Sequence, residues 1–224
     1  MNYNSVNDDS VLRLVPFVVK EVSWVSLSRK EKSAETEQAL KAAALRLFAE
    51  RGYLNTKITD ITAAAGRAAG SFYNHFASRE ELLQALLNDL AAAGDERAEG
   101  PGHNPDFGDP EAVRYHVAGY WTFAREHAPV LRAVNQAALV NDEFARMVAQ
   151  FGMQQRADIA DHVAGFADQG LRLPSTVDAS LAMMFLLTQS LLAAVEEGNV
   201  ELTDEQAVDG LTRFIYRGLT GRDY

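Results

Sequence analysis

Apolar side chains recur at the spacing of a single helix face along most of the chain beyond residue 28. The first such run has apolar residues at positions 39, 40, 43, 44, 47 and 48, which predicts a helix from Ser33 to Gly52. Glycine is the residue that commonly follows the last turn of a helix. Thr56 is predicted to cap a second helix, which ends at Gly66. Because no alternating strand pattern follows residue 28, the sequence predicts an all-α fold.

A capping box predicts where a long helix begins. Ser78 is followed three residues later by Glu81, so that each side chain can bond the backbone amide of the other residue. This helix is predicted to run to about Arg97, after a short helix that starts near Ala68 or Ala69. A loop with three prolines and three glycines comes next. Helical spacing then returns at 110–127, 129–139, 142–169, 175–198 and 204–219.

Residues 1–28 follow a different pattern. They contain an apolar, β-branched run that Pro16 and several charged residues interrupt, which makes the run too short and too charged to span a membrane. Asp8 and Asp9 stand where a signal peptide would carry positive charge. We expect a flexible extension here; the alternatives are a stray strand and a start assigned upstream of the natural one.

The charge of the chain is unevenly distributed. The 224 residues carry a formal net charge of -10, yet residues 29–79 hold nine basic and five acidic side chains, whereas residues 80–224 hold ten arginines, no lysine and 23 acidic side chains. The phosphate backbone of DNA favours lysine and arginine, so we expect the two parts to have different partners. The chain has no cysteine, which excludes disulfides and thiolate metal sites and fits the cytoplasm.

Four short segments together carry a resemblance to a known family. The runs FAERGY at 48–53, AG at 65–66, GSFYNHF at 70–76 and SREELL at 78–83 resemble the N-terminal DNA-binding domain of the TetR family of bacterial transcription regulators. The resemblance implies an N-terminal three-helix helix-turn-helix domain, followed by a larger helical ligand-binding and dimerisation domain. The implied regions are an extension at 1–28, the DNA-binding domain at 29–79, and the effector-binding and dimerisation domain at 80–224.

The implied helix-turn-helix would place its second helix in the major groove of DNA. Phe72 and Phe76 would pack inward and set the angle of this helix, and Gly70 would allow it to approach the DNA closely. The phosphates would be held by Lys57, Tyr73, His75, Arg79 and the amides at the helix starts near Thr56 and Ser78. The base edges would be read by Arg67, Ala69, Ser71 and Asn74.

Two positions depart from the family pattern. Arg67 stands where the family usually has an apolar residue, and Ala68 stands where it usually has a serine that caps the recognition helix. The missing cap should cost about 1 kcal/mol of helix stability. For Arg67, a contact with a guanine edge and a solvated side chain on the turn are both open.

The helices beyond residue 80 are expected to dimerise and to enclose a ligand. The resemblance implies a homodimer interface on the last two helices, through Leu181, Phe185, Leu192 and Val195 on one and Leu211, Phe214, Ile215 and Leu219 on the other, although the same spacing fits ordinary core. Aromatic and methionine side chains with few polar groups suit an apolar cavity. The expected ligand-binding residues are Trp121, Asn135, Phe144, Met147, Phe151, Met184 and Thr188.

These features predict a transcriptional repressor without a cofactor or a membrane partner, which leaves a palindromic double-stranded operator when an apolar small molecule binds. An enzyme or a metal sensor is the alternative. Asp158 and His162 lie one helical turn apart and could bind a metal or relay a proton, but an exposed pair on a helix surface is the simpler interpretation. The five histidines are scattered along the sequence, and no nucleophile elbow, phosphate loop or H-E-x-x-H motif accompanies them. No metal site is predicted.

Overall fold

The computed structural model of the protein describes residues 28–98 and 100–224, so the predicted N-terminal extension lies, apart from Ser28, outside the described residues. Within these two ranges every regular element is helical, which confirms the predicted all-α class. The elements in chain order are α1 (Arg29–Arg51), α2 (Ile58–Ala64), α3 (Ala69–Phe72), α4 (Arg79–Ala98), α5 (Pro110–Glu126), α6 (Ala128–Val140), α7 (Asp142–Asp158), a 3₁₀ segment (Ala160–Phe166), α8 (Val177–Glu196) and α9 (Asp204–Thr220). We call α1–α3 the head and α5–α9 the body; α4 connects them.

α1 begins at Arg29, earlier than the apolar spacing predicts. The hydroxyl of Ser28 accepts a bond from the amide of Glu31 at 3.2 Å, and the carboxylate of Glu31 accepts one from the amide of Ser28 at 2.6 Å. This capping box lies in a polar turn that adds nothing to the apolar face, so periodicity alone misses it. The helix gives way at Gly52 as predicted, where a φ of +80° favours glycine.

The prediction that Thr56 caps α2 is wrong. The N-cap is Lys57, whose amide donates to the carboxylate of Asp60 at 2.9 Å. Thr56 is fully buried, and its hydroxyl donates to the carbonyl of Gly52 at 2.8 Å. Its amide is also engaged, because it donates to the carbonyl of Tyr53 at 3.1 Å. Thr56 therefore closes the turn between α1 and α2.

The predicted capping box of α4 forms in a shifted version. The hydroxyl of Ser78 accepts from the amide of Glu81 at 3.1 Å, as predicted. The carboxylate of Glu81 reaches one residue further back than expected and accepts from the amide of Ala77. Two acidic side chains in the first turn, Glu80 and Glu81, also suit the positive end of the helix dipole.

One apolar core joins the head to the rest of the chain. Phe48 of α1, Ile61 of α2 and Phe72 of α3 are buried in it. The same cluster continues into Leu82, Leu83, Leu86 and Leu87 of α4 and Val130, Ala133, Val134 and Ala137 of α6. Full burial of one large apolar side chain stabilises a fold by roughly 1.5–3 kcal/mol, so core packing holds the head against α4 and α6. The predicted domain boundary at 79/80 stays a prediction.

A second apolar core lies in the body, where α5 packs along α9. It contains five of the residues predicted for the dimer interface: Leu181, Leu192, Leu211, Ile215 and Leu219. Each is at most 6% exposed within a single chain. That prediction is wrong for these five, because helical spacing does not tell the inward face of a helix from an apolar outward face.

The helix predicted at 142–169 is two elements. α7 ends at Asp158, and a 3₁₀ segment continues from Ala160 to Phe166. The carbonyl of His162 accepts a bond from the amide of Phe107 at 2.9 Å, whereas a continuous α-helix would give that carbonyl to the amide four residues ahead. Phe107 is fully buried, so its backbone amide needs this acceptor.

α8 is the one helix in the described part of the chain whose length and apolar composition would let it cross a membrane. About 28% of its apolar window is buried inside the chain. Leu181 and Leu192 are among the side chains that pack in the second core, whereas Met183 and Leu186 are exposed.

Candidate DNA interface and effector cavity

Two phenylalanines anchor α3 to the head. Phe72 is fully buried and Phe76 is 4% exposed, and their ring centroids lie 5.7 Å apart. This confirms the prediction that both rings pack inward. Because α3 has only four residues, these two rings decide which of its side chains face outward.

The outward surface of α3 and the turn after it is small and polar. Ala69, Gly70, Tyr73 and Asn74 are exposed, and Ser71 is half-buried. A Cβ added at Gly70 would meet no neighbouring atom within 4 Å in the part of the chain that the structure describes, so no contact there requires glycine. The predicted DNA contacts of these five residues stay predictions, and their exposure leaves all five accessible to a ligand.

Ala68 is the N-cap of α3, and within residues 28–98 and 100–224 no side-chain cap bonds the first amides of the helix. The amide of Ser71 instead donates to the carbonyl of Ala68 at 2.9 Å. The position thus has the extended backbone of a cap, with φ of -68° and ψ of 148°, but lacks the side-chain oxygen that would complete it.

Arg67 fits neither of the two alternatives that the sequence left open. Its guanidinium forms an ion pair with Glu35 of α1, with Nη2 and Oε1 2.9 Å apart, and its Nε is buried without a hydrogen-bond partner among the described residues. The side chain is therefore neither simply solvated nor extended from the turn toward DNA. The pair ties the loop before α3 to α1.

Arg79 was predicted to hold a phosphate, but its guanidinium is used inside the protein. Nη1 donates to the carbonyl of Tyr53 at 3.1 Å and to the carbonyl of Thr56, and the guanidinium lies 4.5 Å from the centre of the Tyr53 ring. These contacts clamp the turn between α1 and α2 onto the start of α4. The phosphate contact predicted at Thr56 is corrected for the same reason, because its amide and its hydroxyl both bond within the protein.

The hydroxyl of Tyr53 completes this clamp. It donates to Glu80 with an O–O distance of 2.6 Å. Burial raises the pKa of Tyr53, and the neighbouring Glu80 acts in the same direction. For Glu80, burial alone would raise the pKa, but the bond from Tyr53 contributes to holding that pKa below its usual value.

The side chain of His75 also packs against the head and does not point outward beside α3. Its side chain is 10% exposed, and Nδ1 lies 3.9 Å from a carboxylate oxygen of Glu37 on α1. The phosphate contact predicted for His75 would need this side chain to turn outward. Lys57, by contrast, is exposed at the start of α2, as its predicted role requires.

Sequence reasoning missed one group of cations. Arg29, Lys30 and Lys32 are exposed in the first turn of α1, and the ion pair between Glu35 and Arg67 brings this end of α1 beside the loop before α3. A helix rises about 1.5 Å per residue, so these cations lie within two turns of that pair. The excess of basic residues at 29–79 indicated a basic surface, but the sequence does not show which of these cations are exposed.

A cavity of about 1060 Å³ opens between α4, α5, α6, α7 and α8. Four of the predicted ligand-binding residues line it: Asn135, Phe151, Met184 and Thr188. Its wall is mostly apolar, with Leu87 and Leu90 from α4 and Leu131 and Val134 from α6. Ligand binding by the four residues stays a prediction; the structure adds the space for a ligand.

Three predicted ligand-binding residues lie elsewhere. Trp121 is 1% exposed in the second core, where its indole nitrogen donates to Asp204 at 3.0 Å and so fixes α5 to the start of α9. Phe144 is buried in the first core, and Met147 packs against that core. All three were predicted from aromatic or methionine spacing, which is equally the spacing of ordinary core.

Several polar side chains that line the cavity are paired with a neighbour. Burial raises the pKa of Tyr120, whereas the hydrogen bond between Tyr120 and Gln189 lowers it. Arg132 bonds Glu196 at 3.0 Å. Arg156, which also lines the cavity, pairs with Asp178 at 2.6 Å, so both hydrogen-bonding groups and ion pairs accompany the apolar wall.

α6 connects the cavity to the head. Leu131, Val134 and Asn135 of α6 line the cavity. The next residue along, Gln136, accepts a bond from the amide of Tyr53 at 2.9 Å. Since Tyr53 is fully buried, this side chain is the acceptor for an amide that solvent does not reach.

The histidines that look scattered in sequence converge in space. His103, His116 and His162 offer ring nitrogens that all lie within 4.8 Å of one another. Burial lowers the pKa of His116 to about 4. The hydrogen bond with the Ala112 carbonyl raises this pKa, whereas the two neighbouring imidazoles lower it further.

Asp158 is not part of this histidine cluster, because it accepts a bond from Gln154 at 3.0 Å. The pair of Asp158 and His162 proposed from the sequence therefore does not form, because the 3₁₀ segment turns His162 into the interior, where it is 6% exposed.

Fold and site together give a helix-turn-helix head with an exposed polar surface, followed by a helical body with a large cavity. Residues 40–86 match the family described as bacterial regulatory proteins, tetR family. The HTH-type transcriptional regulator TtgR of Pseudomonas putida is 41% identical over 69 residues, which is 31% of this chain and 33% of that protein. The HTH-type transcriptional repressor DhaR of Mycobacterium sp. is 46% identical over 57 residues, which is 24% of this chain and 29% of that protein.

The body is matched by shape. The fatty acid degradation regulator FadR of Bacillus halodurans superposes with a TM-score of 0.69 at 16% identity, over 84% of this chain and 97% of that chain. The match to the tetR family of bacterial regulatory proteins thus lies in the N-terminal domain, and the likeness to FadR extends over most of the chain as a likeness of fold. The matches by sequence span about a third of the length of TtgR and DhaR.

Proposed function

We propose that this protein is a cytoplasmic, ligand-responsive repressor that binds a palindromic DNA operator as a homodimer. The observation that carries the proposal is the exposed surface of α3, held at a fixed angle by two buried phenylalanine rings. A recognition helix in the major groove needs this arrangement: small or hydrogen-bonding side chains outward, and rigid packing behind them.

On this proposal, base readout falls to the residues that the chain leaves exposed. Asn74, in the turn after α3, has the amide that can bond an adenine edge in two places, and Ser71 and Ala69 lie on α3 itself. Phosphate contacts fall to Tyr73, Lys57 and the first turn of α1, in place of Thr56 and Arg79. Contacts of this second kind position the protein without reading sequence.

A homodimer supplies the second reading head. The outer faces of α8 and α9 expose Met183 at 51%, Leu186 at 60% and Phe214 at 68%. Gly210 and Gly218 flank Phe214 on the exposed side of α9, and a Cβ at either would meet nothing within 4 Å. A second copy covering this apolar face would explain why α8 is apolar on both sides.

Substitution of the apolar face tests the dimer. Phe214→Glu should convert the dimer to a monomer in analytical ultracentrifugation and weaken operator binding. Leu139→Glu is the matched control, because Leu139 is 84% exposed at the end of α6, away from this face; it should remain dimeric. A Phe214→Glu protein that stays dimeric would place the interface elsewhere.

The effector proposed for the cavity is an apolar molecule with one polar end. The volume of about 1060 Å³ lies at the upper end of the range of ligand sites, and most of the wall is apolar. The similar fold of FadR, a regulator of fatty acid degradation, agrees with a ligand of this chemistry. Saturated fatty acids of increasing length are the first probes, with sugars as the negative control.

Release would proceed through α4 and α6, since both helices line the cavity and pack on the head. A ligand that binds better when α4 and α6 are displaced shifts the population toward a head spacing that does not fit the operator. A ligand with equal affinity for both states would change nothing.

Selection of bound DNA from a random pool with the purified protein tests the proposal as a whole. We expect an inverted repeat whose half-sites are about one helical turn, or a multiple of it, apart. Asn74→Ala should relax the preference at one base pair of each half-site, at a cost of about 1–3 kcal/mol. Lys57→Ala should instead weaken all sequences alike and lower the salt slope by about 1. Recovery of no enriched sequence at low salt would refute the proposed function.

A further inference from the structure

Three histidines from separate parts of the chain meet at one point of the body. His103 lies in the connection between α4 and α5, His116 on α5, and His162 in the 3₁₀ segment. The Nε2 atom of His162 is 3.2 Å from Nε2 of His103 and 3.1 Å from Nε2 of His116. His116 also borders the cavity, but the proposed DNA binding uses none of the three imidazoles, and an apolar wall does not explain why they are directed at one another.

The second ring nitrogen of two of these histidines is already bonded. Nδ1 of His116 lies 2.9 Å from the carbonyl of Ala112, which can only accept, so this nitrogen carries the proton. Nδ1 of His162 lies 2.6 Å from the carboxylate of Asp161 in the same way. In the neutral rings both Nε2 atoms then present lone pairs to each other at 3.1 Å. Two lone pairs at that distance repel unless a cation lies between them.

The distances suit a shared metal ion. Zinc binds histidine nitrogen at about 2.0–2.1 Å in a tetrahedral arrangement, which puts neighbouring nitrogens about 3.3 Å apart. The two short nitrogen separations of 3.1 and 3.2 Å are close to that edge. The third separation falls within the 4.8 Å that encloses all three nitrogens, so a small rotation of the exposed His103 closes the set.

The surroundings match those of a histidine metal site. Ligating histidines commonly donate their other ring nitrogen to a carboxylate or a backbone carbonyl, which Asp161 and the Ala112 carbonyl provide. Phe107 packs edge-on against both inner histidines, with ring centroids 5.0 Å away. The exposed His103 leaves one side open to solvent and so provides a route for the ion.

We propose that His103, His116 and His162 bind one divalent transition-metal ion of the zinc class. Three neutral imidazoles select zinc, nickel, cobalt or copper over magnesium and calcium, which require oxygen ligands. The ion fastens the α4–α5 connection to α5 and to the 3₁₀ segment. The ion thus has a structural role that joins three segments. Asp158 is not a ligand, and no catalytic step is involved.

Metal binding by tag-free, chelator-treated full-length protein tests the proposal directly. Added Zn²⁺ should bind at one equivalent per chain in titration calorimetry and raise the melting temperature. Co²⁺ should give the intense visible absorption of a tetrahedral site. His103→Ala removes an exposed ligand and should fold normally, but it should lose the Co²⁺ absorption and more than 100-fold in Zn²⁺ affinity.

Two further variants distinguish a specific metal site from nonspecific binding of Zn²⁺ to histidines. Asp161→Asn keeps all three ligands and should weaken Zn²⁺ binding roughly 10–100-fold, as loss of a carboxylate behind a ligand does. His127→Ala removes a histidine outside the cluster and should bind Zn²⁺ as the unsubstituted protein does. Absence of stoichiometric binding, or equal affinity in His103→Ala and the unsubstituted protein, would overturn the proposal. Neither result depends on the operator experiments.

Discussion

The ion pair between Arg67 and Glu35 allows a sharp test of what the residue after the turn does. Arg67→Ala removes the guanidinium and leaves Glu35 unpaired on α1. If Arg67 acts by tying the loop before α3 to α1, its loss affects the head alone. If it reads a base, its loss affects one position of the operator.

The two roles predict different magnitudes. The side chains of Arg67 and Glu35 are 31% and 57% exposed, and a solvent-exposed pair contributes about 0.2–1 kcal/mol. Removal also eliminates the buried Nε that has no partner, which offsets part of that loss. In a chain of this size the melting temperature should therefore fall by no more than about 4 °C. A bidentate contact with guanine is worth about 1–3 kcal/mol, or roughly 5–150-fold in operator affinity.

Fluorescence anisotropy with a labelled operator, taken from the selection experiment, measures the difference. We expect Arg67→Ala to bind within about threefold of the unsubstituted protein, a change equivalent to less than 1 kcal/mol. Glu35→Gln keeps the shape of the partner without its charge and frees the guanidinium. It should increase affinity for all DNA sequences and steepen the salt dependence, because it adds a cation near the phosphates.

A structural role for Arg67 would be refuted if Arg67→Ala lost more than tenfold in affinity and if that loss disappeared on operators with one altered base pair. Such a result would mean that Arg67 leaves Glu35 and reads that base when DNA binds. A uniform loss over all operators, with a lowered melting temperature, would point instead to a distorted head.

Three further predictions concern the attachment of the head. Ala68→Ser supplies the missing cap of α3 and should raise the free energy of unfolding by about 1 kcal/mol, seen as a higher midpoint in urea. Gln136→Ala leaves the buried amide of Tyr53 without its acceptor and should lower the free energy of unfolding by about 1–3 kcal/mol; unchanged urea midpoints would show that solvent replaces the bond. Tyr53→Phe removes the hydroxyl that helps to lower the pKa of Glu80. A carboxylate with a lowered folded-state pKa contributes stability above its unfolded value of about 4.3, and this contribution is lost as the pH falls through the folded value. Tyr53→Phe should thus be less stable at pH 7, with the difference narrowing toward pH 3, and a constant difference would contradict this account of the bond.

The helices themselves could be predicted because apolar periodicity, glycine and capping residues are local signals. The failures occurred where a long-range partner decides the outcome. The helix predicted at 142–169 was too long because the carbonyl of His162 accepts a bond from the amide of Phe107, which is distant in sequence. Arg79 and Thr56 looked like DNA-facing residues until the fold placed them around Tyr53.

The same limit applies to the body. Trp121 and Asn135 are both on amphipathic helices, and nothing local indicates that one fixes α9 while the other borders the cavity. The histidine cluster illustrates the limit most directly. His103 and His162 are 59 positions apart, so only the packing of the connection before α5 against the 3₁₀ segment brings their rings together.

The apolar core that runs from α1 through α4 into α6 has a consequence for protein engineering. A reading head cut from this chain at residue 79 would leave behind Leu82, Leu83, Leu86 and Leu87, which are buried against it. It would also lose Gln136, the acceptor for its Tyr53 amide. A chimeric regulator that combines this head with the sensor of another protein should therefore keep α4, and should carry over the surface of α6 that faces the head.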